Sequence, residues 1–74
     1  MLRKHSVTIR GHATSYSVED AFHDELRAIA ARRGVALARL VAEIDAARPP
    51  ATNLSSAIRL FVLREVRSGQ SAVG

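Results

Sequence analysis

Three histidines and the serines near them are the residues of this chain that could take part in catalysis or metal binding. His5, His12 and His23 lie seven and eleven positions apart, which fits neither one face of a helix nor the short spacing of paired metal ligands. His12 with Ser15 or Ser17 would supply a base and a nucleophile, but no acidic residue is placed to orient the histidine. The sequence therefore predicts no enzyme, no metal site and no cofactor.

Basic side chains near the N-terminus could instead bind phosphate groups. Arg3, Lys4 and Arg10 precede Glu19, which is the first acidic residue, and the whole chain carries a net charge of +4. A basic segment without acidic residues is typical of proteins that bind nucleic acid, although an ordinary solvated terminus can have the same composition. Both interpretations are open on composition alone.

The length of the chain limits what can position these side chains. With 74 residues and no cysteine, the chain has no disulfide and no thiolate-bound zinc to support a small core. We therefore expect a homodimer, since association with a second copy is the remaining means of stabilisation.

The longest apolar run, Leu60 to Leu63, is too short to span a bilayer, and residues 1–11 lack the apolar segment of a secretory signal. We expect a cytoplasmic protein with no membrane contact.

Residues 5–18 alternate between apolar and polar side chains with the two-residue period of a β-strand. Val7, Ile9, Tyr16 and Val18 fall on one side, and Ser6, Thr8, Ser15 and Ser17 fall on the other. Gly11 and His12 separate the two runs and fit the central positions of a tight turn. The pattern predicts either a hairpin or one long bent strand, which must pair with a further strand, most simply in a second subunit.

Residues 1–18 comprise the basic arm and this strand or hairpin. Two helices are predicted after them. The first covers residues 19–33; Ser17 is expected to cap it, and Gly34 ends it because glycine adopts the left-handed conformation with little strain. The second covers residues 37–47, with Ala36 at its cap position, where alanine offers no side-chain acceptor.

A third helix is predicted beyond a connector of residues 48–53. Pro49 and Pro50 cannot continue a helix, and Asn53 can cap the next one. The third helix covers residues 54–67 and is apolar on nearly every side, so we expect it to be buried on more than one face. Residues 68–74 are expected to form a flexible tail. All of these elements belong to one domain, residues 1–74.

The order of the elements resembles that of the ribbon-helix-helix family. The similarity lies in Thr14-Ser15-Tyr16-Ser17-Val18, in Phe22, Leu26 and Ile29 of the first helix, and in Gly34 before the second, and covers residues 13–47. A longer similarity, through Ser6 to Ser15, Leu40 to Asp45 and Asn53 to Arg59, indicates a subgroup of short bacterial proteins of that family. The resemblance implies a mainly α-helical intertwined homodimer with an N-terminal strand or hairpin and an additional third helix.

The same resemblance implies sequence-specific binding to double-stranded DNA, as in a transcriptional repressor. In this family two copies of the strand pair into a ribbon that enters the major groove, and alternate side chains touch the bases. That role falls here on Ala13, Ser15 and Ser17. Because alanine and serine discriminate weakly between bases, we expect further contacts from the arm and the turn. The predicted DNA-binding residues are Arg3, Lys4, Thr8, Arg10, His12, Ser15 and Ser17.

Two further sets of residues are carried over from the resemblance. The backbone amides of Ala36, Leu37 and Ala38, at the start of the second helix, are expected to anchor a DNA phosphate. The apolar residues expected in the dimer core are Tyr16, Val18, Phe22, Leu26, Ile29, Leu40, Val41, Ile44, Ile58 and Phe61.

An alternative is a dimeric protein-interaction or antitoxin-like module. In that hypothesis the apolar third helix, residues 54–67, docks a protein partner and the ribbon has little affinity for DNA. The two hypotheses differ in how completely a homodimer buries this helix, since a fully buried helix leaves no apolar surface for another protein.

Overall fold

Two strands lead into three helices in a computed structural model that describes the backbone of residues 1–73 and the side chains of residues 1–69. The elements are β1 (Leu2–Ile9), β2 (His12–Glu19), α1 (Asp20–Arg33), α2 (Leu37–Ala47) and α3 (Leu54–Val73). The expected fold class, an N-terminal ribbon followed by three helices, is confirmed.

The N-terminal segment is a hairpin and not one bent strand. β1 and β2 pair antiparallel, with Ile9 opposite His12 at the turn and Leu2 opposite Glu19 at the open end. The two turn residues are Arg10 and Gly11, at φ angles of 51° and 80°. Two positive φ angles are typical of the type I′ turn, whose twist matches that of the strands. The expected turn at Gly11 and His12 is therefore wrong by one residue, because His12 already pairs with Ile9.

Helix α1 begins differently from the sequence-based expectation and ends as expected. Its N-cap residue is Glu19, and no side chain caps it; Ser17 remains in β2, where pairing with β1 holds it in extended conformation. At the other end Gly34 has a φ of 68°. Its amide donates to the Ala31 carbonyl at 3.1 Å, and the Val35 amide donates to the Ala30 carbonyl at 3.0 Å. This pair of bonds ends the helix in a Schellman motif.

The connector between α2 and α3 is held by one arginine. Arg48 donates from Nε to Asp45 Oδ1 at 2.7 Å and from Nη1 to the Thr52 carbonyl at 2.8 Å. One side chain thus joins the end of α2 to the far side of the proline-containing turn. Two charge-assisted bonds of this kind fix the direction in which α3 leaves the connector.

Helix α3 begins as predicted and extends further than predicted. The Asn53 side chain accepts a hydrogen bond from the Ser56 amide at 2.9 Å, as expected of an N-cap. The helix continues to Val73, so the expected end at Arg67 is wrong. The expected flexibility of residues 68–74 stays a prediction, and Gly74 lies outside the described residues. No proline interrupts the segment, and an isolated glycine such as Gly69 lowers helix stability by only about 1 kcal/mol.

One apolar core joins the hairpin to the helices. Helix α3 contributes Leu54, Ile58 and Val62 to this core, and their four-residue spacing places them in one stripe along the helix. Leu60, Leu63 and Val66 remain exposed at 46%, 48% and 37%, so within one chain α3 is buried on a single face. The core consists of Tyr16, Val18, Leu26, Ile29, Ala30, Leu40, Val41, Ile44, Leu54, Ile58 and Val62. None of the described helices has an apolar stretch long enough to cross a membrane.

Candidate nucleic-acid interface

The hairpin has one face against the helices and one face turned to solvent. On the helix side Tyr16 and Val18 are 2% and 0% exposed, because their side chains enter the core. The alternate positions project from the opposite side, which we call the outer face. The outer face consists of Lys4, Ser6, Thr8, Ala13, Ser15 and Ser17. All of these are exposed except Ser17, which is half-buried.

Hydroxyl groups run across the outer face in register. Ser6 lies opposite Ser15, and their Oγ atoms are 3.2 Å apart, within hydrogen-bond distance. Thr8 lies opposite Ala13, and Lys4 opposite Ser17. Ser6 was not among the predicted DNA-binding residues, although the alternation of the sequence had placed it on the polar side of the strand.

Two basic residues border the outer face without an acidic partner. Lys4 lies near its open end and Arg10 at the turn, and both are exposed. Among the side chains of residues 1–69, five ion pairs form, and neither Lys4 nor Arg10 takes part in any of them. Their charges are therefore available to an anionic ligand such as a phosphate.

Two other predicted DNA-binding residues lie elsewhere. Arg3 is opposite Val18, on the helix side, and its Nε is 3.1 Å from Asp20 Oδ1. His12 is opposite Ile9, also on the helix side near the turn, and is exposed. The two-residue period of a strand separates these residues from their neighbours on the outer face.

Two contacts from helix α3, neither of them predicted from the sequence, fix the end of β2. Ser55 Oγ accepts a hydrogen bond from the Ser17 amide at 2.9 Å. Arg59 Nε donates to Glu19 Oε1 at 3.0 Å, and this hydrogen bond lowers the pKa of the Glu19 carboxyl below its usual value of 4.5. Since the partners are 38 and 40 positions apart, no local pattern could have predicted the contacts.

We predict that Ser55→Ala destabilises the fold by about 0.5–1.5 kcal/mol, because the partly buried Ser17 amide loses its acceptor. Ser56→Ala is the matched control, since the neighbouring hydroxyl makes no hydrogen bond among the described residues. Urea denaturation of both variants measures the difference. Equal unfolding midpoints would show that the Ser55 contact does not stabilise the hairpin.

A histidine pair attaches the hairpin to α1. The rings of His5 in β1 and His23 in α1 stack with centroids 3.6 Å apart and planes 1° from parallel. Tyr16 lies beside them, its ring centroid 5.5 Å from that of His5, and burial raises the pKa of its hydroxyl. His5 Nε2, His23 Nδ1 and the Tyr16 hydroxyl are buried without a hydrogen-bond partner among the described residues.

Protonation of His23 is unfavourable in the folded chain. Burial lowers the pKa of His23 below its usual value of 6.5, and the neighbouring His5 and Arg27 lower it further, against a smaller opposite effect of Asp24 and Asp20. At pH values between the lowered pKa and 6.5, the unfolded chain therefore binds more protons than the folded chain. It follows that the free energy of unfolding falls as the pH falls through this window.

We expect the melting temperature to fall as the pH is lowered from about 7.5 to about 5.5, a range above the titration of the carboxylates. His23→Phe keeps an aromatic ring against His5 and removes the titrating group, so its melting temperature should depend less on pH. Thermal unfolding of both proteins across this range is the measurement. An unchanged pH dependence in the variant would exclude His23 as its source.

The family resemblance implied two further residue sets, one to anchor a phosphate and one to form a dimer core. Ala36, Leu37 and Ala38 form the first turn of α2, where no side chain bonds to the free amides. Eight of the residues expected in a dimer core are buried within the single chain, and the other two, Phe22 and Phe61, pack against that core while partly exposed. Within residues 1–69, no three histidine or acidic side chains cluster as metal ligands would.

Comparison with known proteins identifies a family by sequence. A family model described as a ribbon-helix-helix domain matches residues 2–66, a span that includes the hairpin, α1, α2 and most of α3. No curated protein and no solved structure matches the chain significantly.

Proposed function

Because this chain belongs to the ribbon-helix-helix family, we propose that it binds double-stranded DNA as a transcriptional regulator, with the outer face of its hairpin against the major groove. The observation that carries the proposal is the outer face itself. Its exposed hydroxyl groups lie between Lys4 and Arg10, which have no acidic partner among the described side chains. Binding to chromosomal DNA would place the protein in the cytoplasm of a bacterial cell.

The chemistry of the outer face fits base edges and phosphates. A two-stranded ribbon is narrow enough for the major groove, which is about 12 Å wide. Serine and threonine hydroxyls both donate and accept, whereas the Ala13 methyl group suits the methyl group of thymine. Arg10 can donate two parallel hydrogen bonds to guanine or to a phosphate. Sequence discrimination should therefore depend on Arg10 more than on the serines.

Two copies of the chain would present this face symmetrically. A two-fold homodimer binds a palindromic site, because each half-site meets the same side chains. We further propose that the free amides of Ala36, Leu37 and Ala38 hold a phosphate at the start of α2, where the partial positive charge of the helix favours an anion.

Binding to duplex DNA at increasing salt concentration tests the proposal. Each phosphate neutralised by Lys or Arg contributes about −0.9 to the slope of log affinity against log salt. Lys4 and Arg10 from two copies predict a slope of about −3 to −4. Selection of bound sequences from a random duplex pool should enrich a palindrome. A flat salt titration, or no binding at low salt, would contradict the proposal.

The exposed side of α3 favours a second candidate function. Leu60, Leu63 and Val66 are exposed apolar side chains within one chain, and Leu63 and Val66 line one groove with Phe22 of α1, as expected of a module that docks a protein partner. The salt titration separates the two candidates. A folded chain without affinity for duplex DNA would leave the interaction module as the function.

A further inference from the structure

A cleft lies between the end of α2, the connector and α3. One of its walls is a face of α3 that contains Leu60 and Phe61, which lie four and three positions before Arg64 and therefore on the same side of the helix. The opposite wall contains Ile44 of α2 and the side chain of Arg48. The cleft thus combines apolar walls with two arginines.

The size of the cleft suits a ligand with one ring. Its volume is about 150 Å³ and it is open to solvent. An apolar cavity of about this volume accommodates benzene in a protein of known behaviour. A ligand of this size would cover the exposed part of Leu60, which is 46% exposed, and the partly exposed ring of Phe61.

Both walls of the cleft are held in place before any ligand binds. Arg48 is bonded to the Thr52 carbonyl at 2.8 Å across the connector. On the α3 side, the guanidinium group of Arg33 lies 5.2 Å from the centroid of the Phe61 ring, and Glu65 holds Arg33 at 2.7 Å. A ligand therefore meets a largely preformed site, which is typical of small-molecule pockets.

The charges at the cleft favour an anion. None of the described residues that line it is acidic. Asp45 is paired with Arg48 at 2.7 Å, whereas Arg64 is exposed and makes no ion pair and no hydrogen bond among residues 1–69. The Nη2 group of Arg48 also makes no hydrogen bond to another described residue. The unpaired charge of Arg64 matches a ligand with a single negative charge.

We propose that this cleft binds a small organic monocarboxylate whose apolar part has about the size of one benzene ring. The apolar part packs between Ile44, Leu60 and Phe61, and the carboxylate accepts hydrogen bonds from Arg64 and from the free Nη2 of Arg48. Arginine and carboxylate match in geometry, since two parallel N–H groups can donate to the two oxygens.

Other classes of small ligand fit the cleft less well. An inorganic anion would leave the apolar walls of Leu60 and Phe61 uncovered. An uncharged apolar molecule would bring the Arg64 guanidinium into a less hydrated environment without supplying an acceptor, which is unfavourable. A carboxylate on an apolar ring satisfies both parts of the site.

The cleft is separate from the outer face of the hairpin. Its lining residues belong to α2, the connector and α3, and none lies in β1 or β2. The proposal therefore goes beyond the function proposed above and does not depend on it. The ligand can occupy the cleft whether or not the hairpin contacts DNA.

Titration of the full chain with benzoate, followed by the amide resonances in proton–nitrogen NMR spectra, tests the proposal. We expect saturable shifts centred on Thr52, Ala57 and Leu60, with a dissociation constant in the millimolar range because so small a ligand has few contacting atoms. Benzyl alcohol has the same ring without the charge and should bind more weakly.

Arg64→Gln should weaken benzoate binding by about fivefold or more, because the exposed ion pair is lost, and should leave the affinity for benzyl alcohol unchanged. Arg67→Gln is the matched control, since Arg67 is exposed on the same helix and does not line the cleft. Its effect on benzoate binding should be less than about twofold. Both substitutions are at exposed positions, so both variants should fold.

Several results would overturn the proposal. One is the absence of saturable shifts at tens of millimolar benzoate. Another is equal benzoate affinity in the two variants, or equal affinity of the wild-type chain for benzoate and benzyl alcohol. Shifts as large at Lys4 and Arg10 as at the cleft would indicate unspecific attraction of anions to basic residues. Shifts of the cleft resonances with protein concentration, without any effect of benzoate, would mean that a second copy covers the cleft.

Discussion

Arg10→Asn should weaken binding to a selected DNA site by about 1–3 kcal/mol for each arginine lost and should relax sequence preference near the ends of the site. Arg10 is exposed, has no ion pair among the described side chains and occupies the hairpin turn. The variant separates binding from folding. At a φ of 51° asparagine is less strained than arginine, and Asn-Gly is a favoured type I′ pair, so the hairpin should be at least as stable.

Fluorescence anisotropy with the selected site and with random duplex measures both effects. Arg64→Gln is the charge-matched control: Arg64 is exposed on α3 and has no ion pair among residues 1–69. Its loss should lower affinity only slightly and equally for both duplexes. If Arg10→Asn behaved like this control, Arg10 would not contact DNA.

Ile58→Ala should lower the free energy of unfolding by about 2–5 kcal/mol, the usual cost of truncating a fully buried aliphatic side chain. Ile58 is 0% exposed and lies in the α3 stripe of the core. The free energy of unfolding of a typical domain is only about 5–15 kcal/mol, and that of a small domain lies near the lower limit. A large part of the variant should therefore be unfolded at moderate temperature, and its apparent DNA affinity should fall in proportion.

Leu60→Ala is the control for this effect, because Leu60 lies on the same helix at 46% exposure. Its change in unfolding free energy should stay within about 0.5 kcal/mol in a single chain. Urea denaturation followed by circular dichroism gives both values. Equal losses of unfolding free energy in the two variants would mean either that α3 is not packed as described or that Leu60 is buried in an assembly. Repeating the denaturation at several protein concentrations separates these cases, because only stabilisation by an assembly depends on concentration.

The residues that determined the local elements could be identified from the sequence. Alternation over residues 5–18 fixed the polar and apolar sides of the hairpin, and Gly34 and Asn53 marked a helix end and a helix start. These signals are local, because strand alternation, a left-handed residue and a cap depend on neighbours within a few positions. The ribbon-helix-helix resemblance depended on the same signals.

Tertiary structure alone decided the role of residues with two local possibilities. Ser17 could have capped α1, but its position in β2 and its bond to Ser55 keep it extended. Strand alternation puts Arg3 and Lys4 on opposite faces of β1, but only the tertiary structure supplies Asp20 as the partner of Arg3. Contacts between residues far apart in the chain decide these outcomes, and no local periodicity records which distant side chain will be the partner.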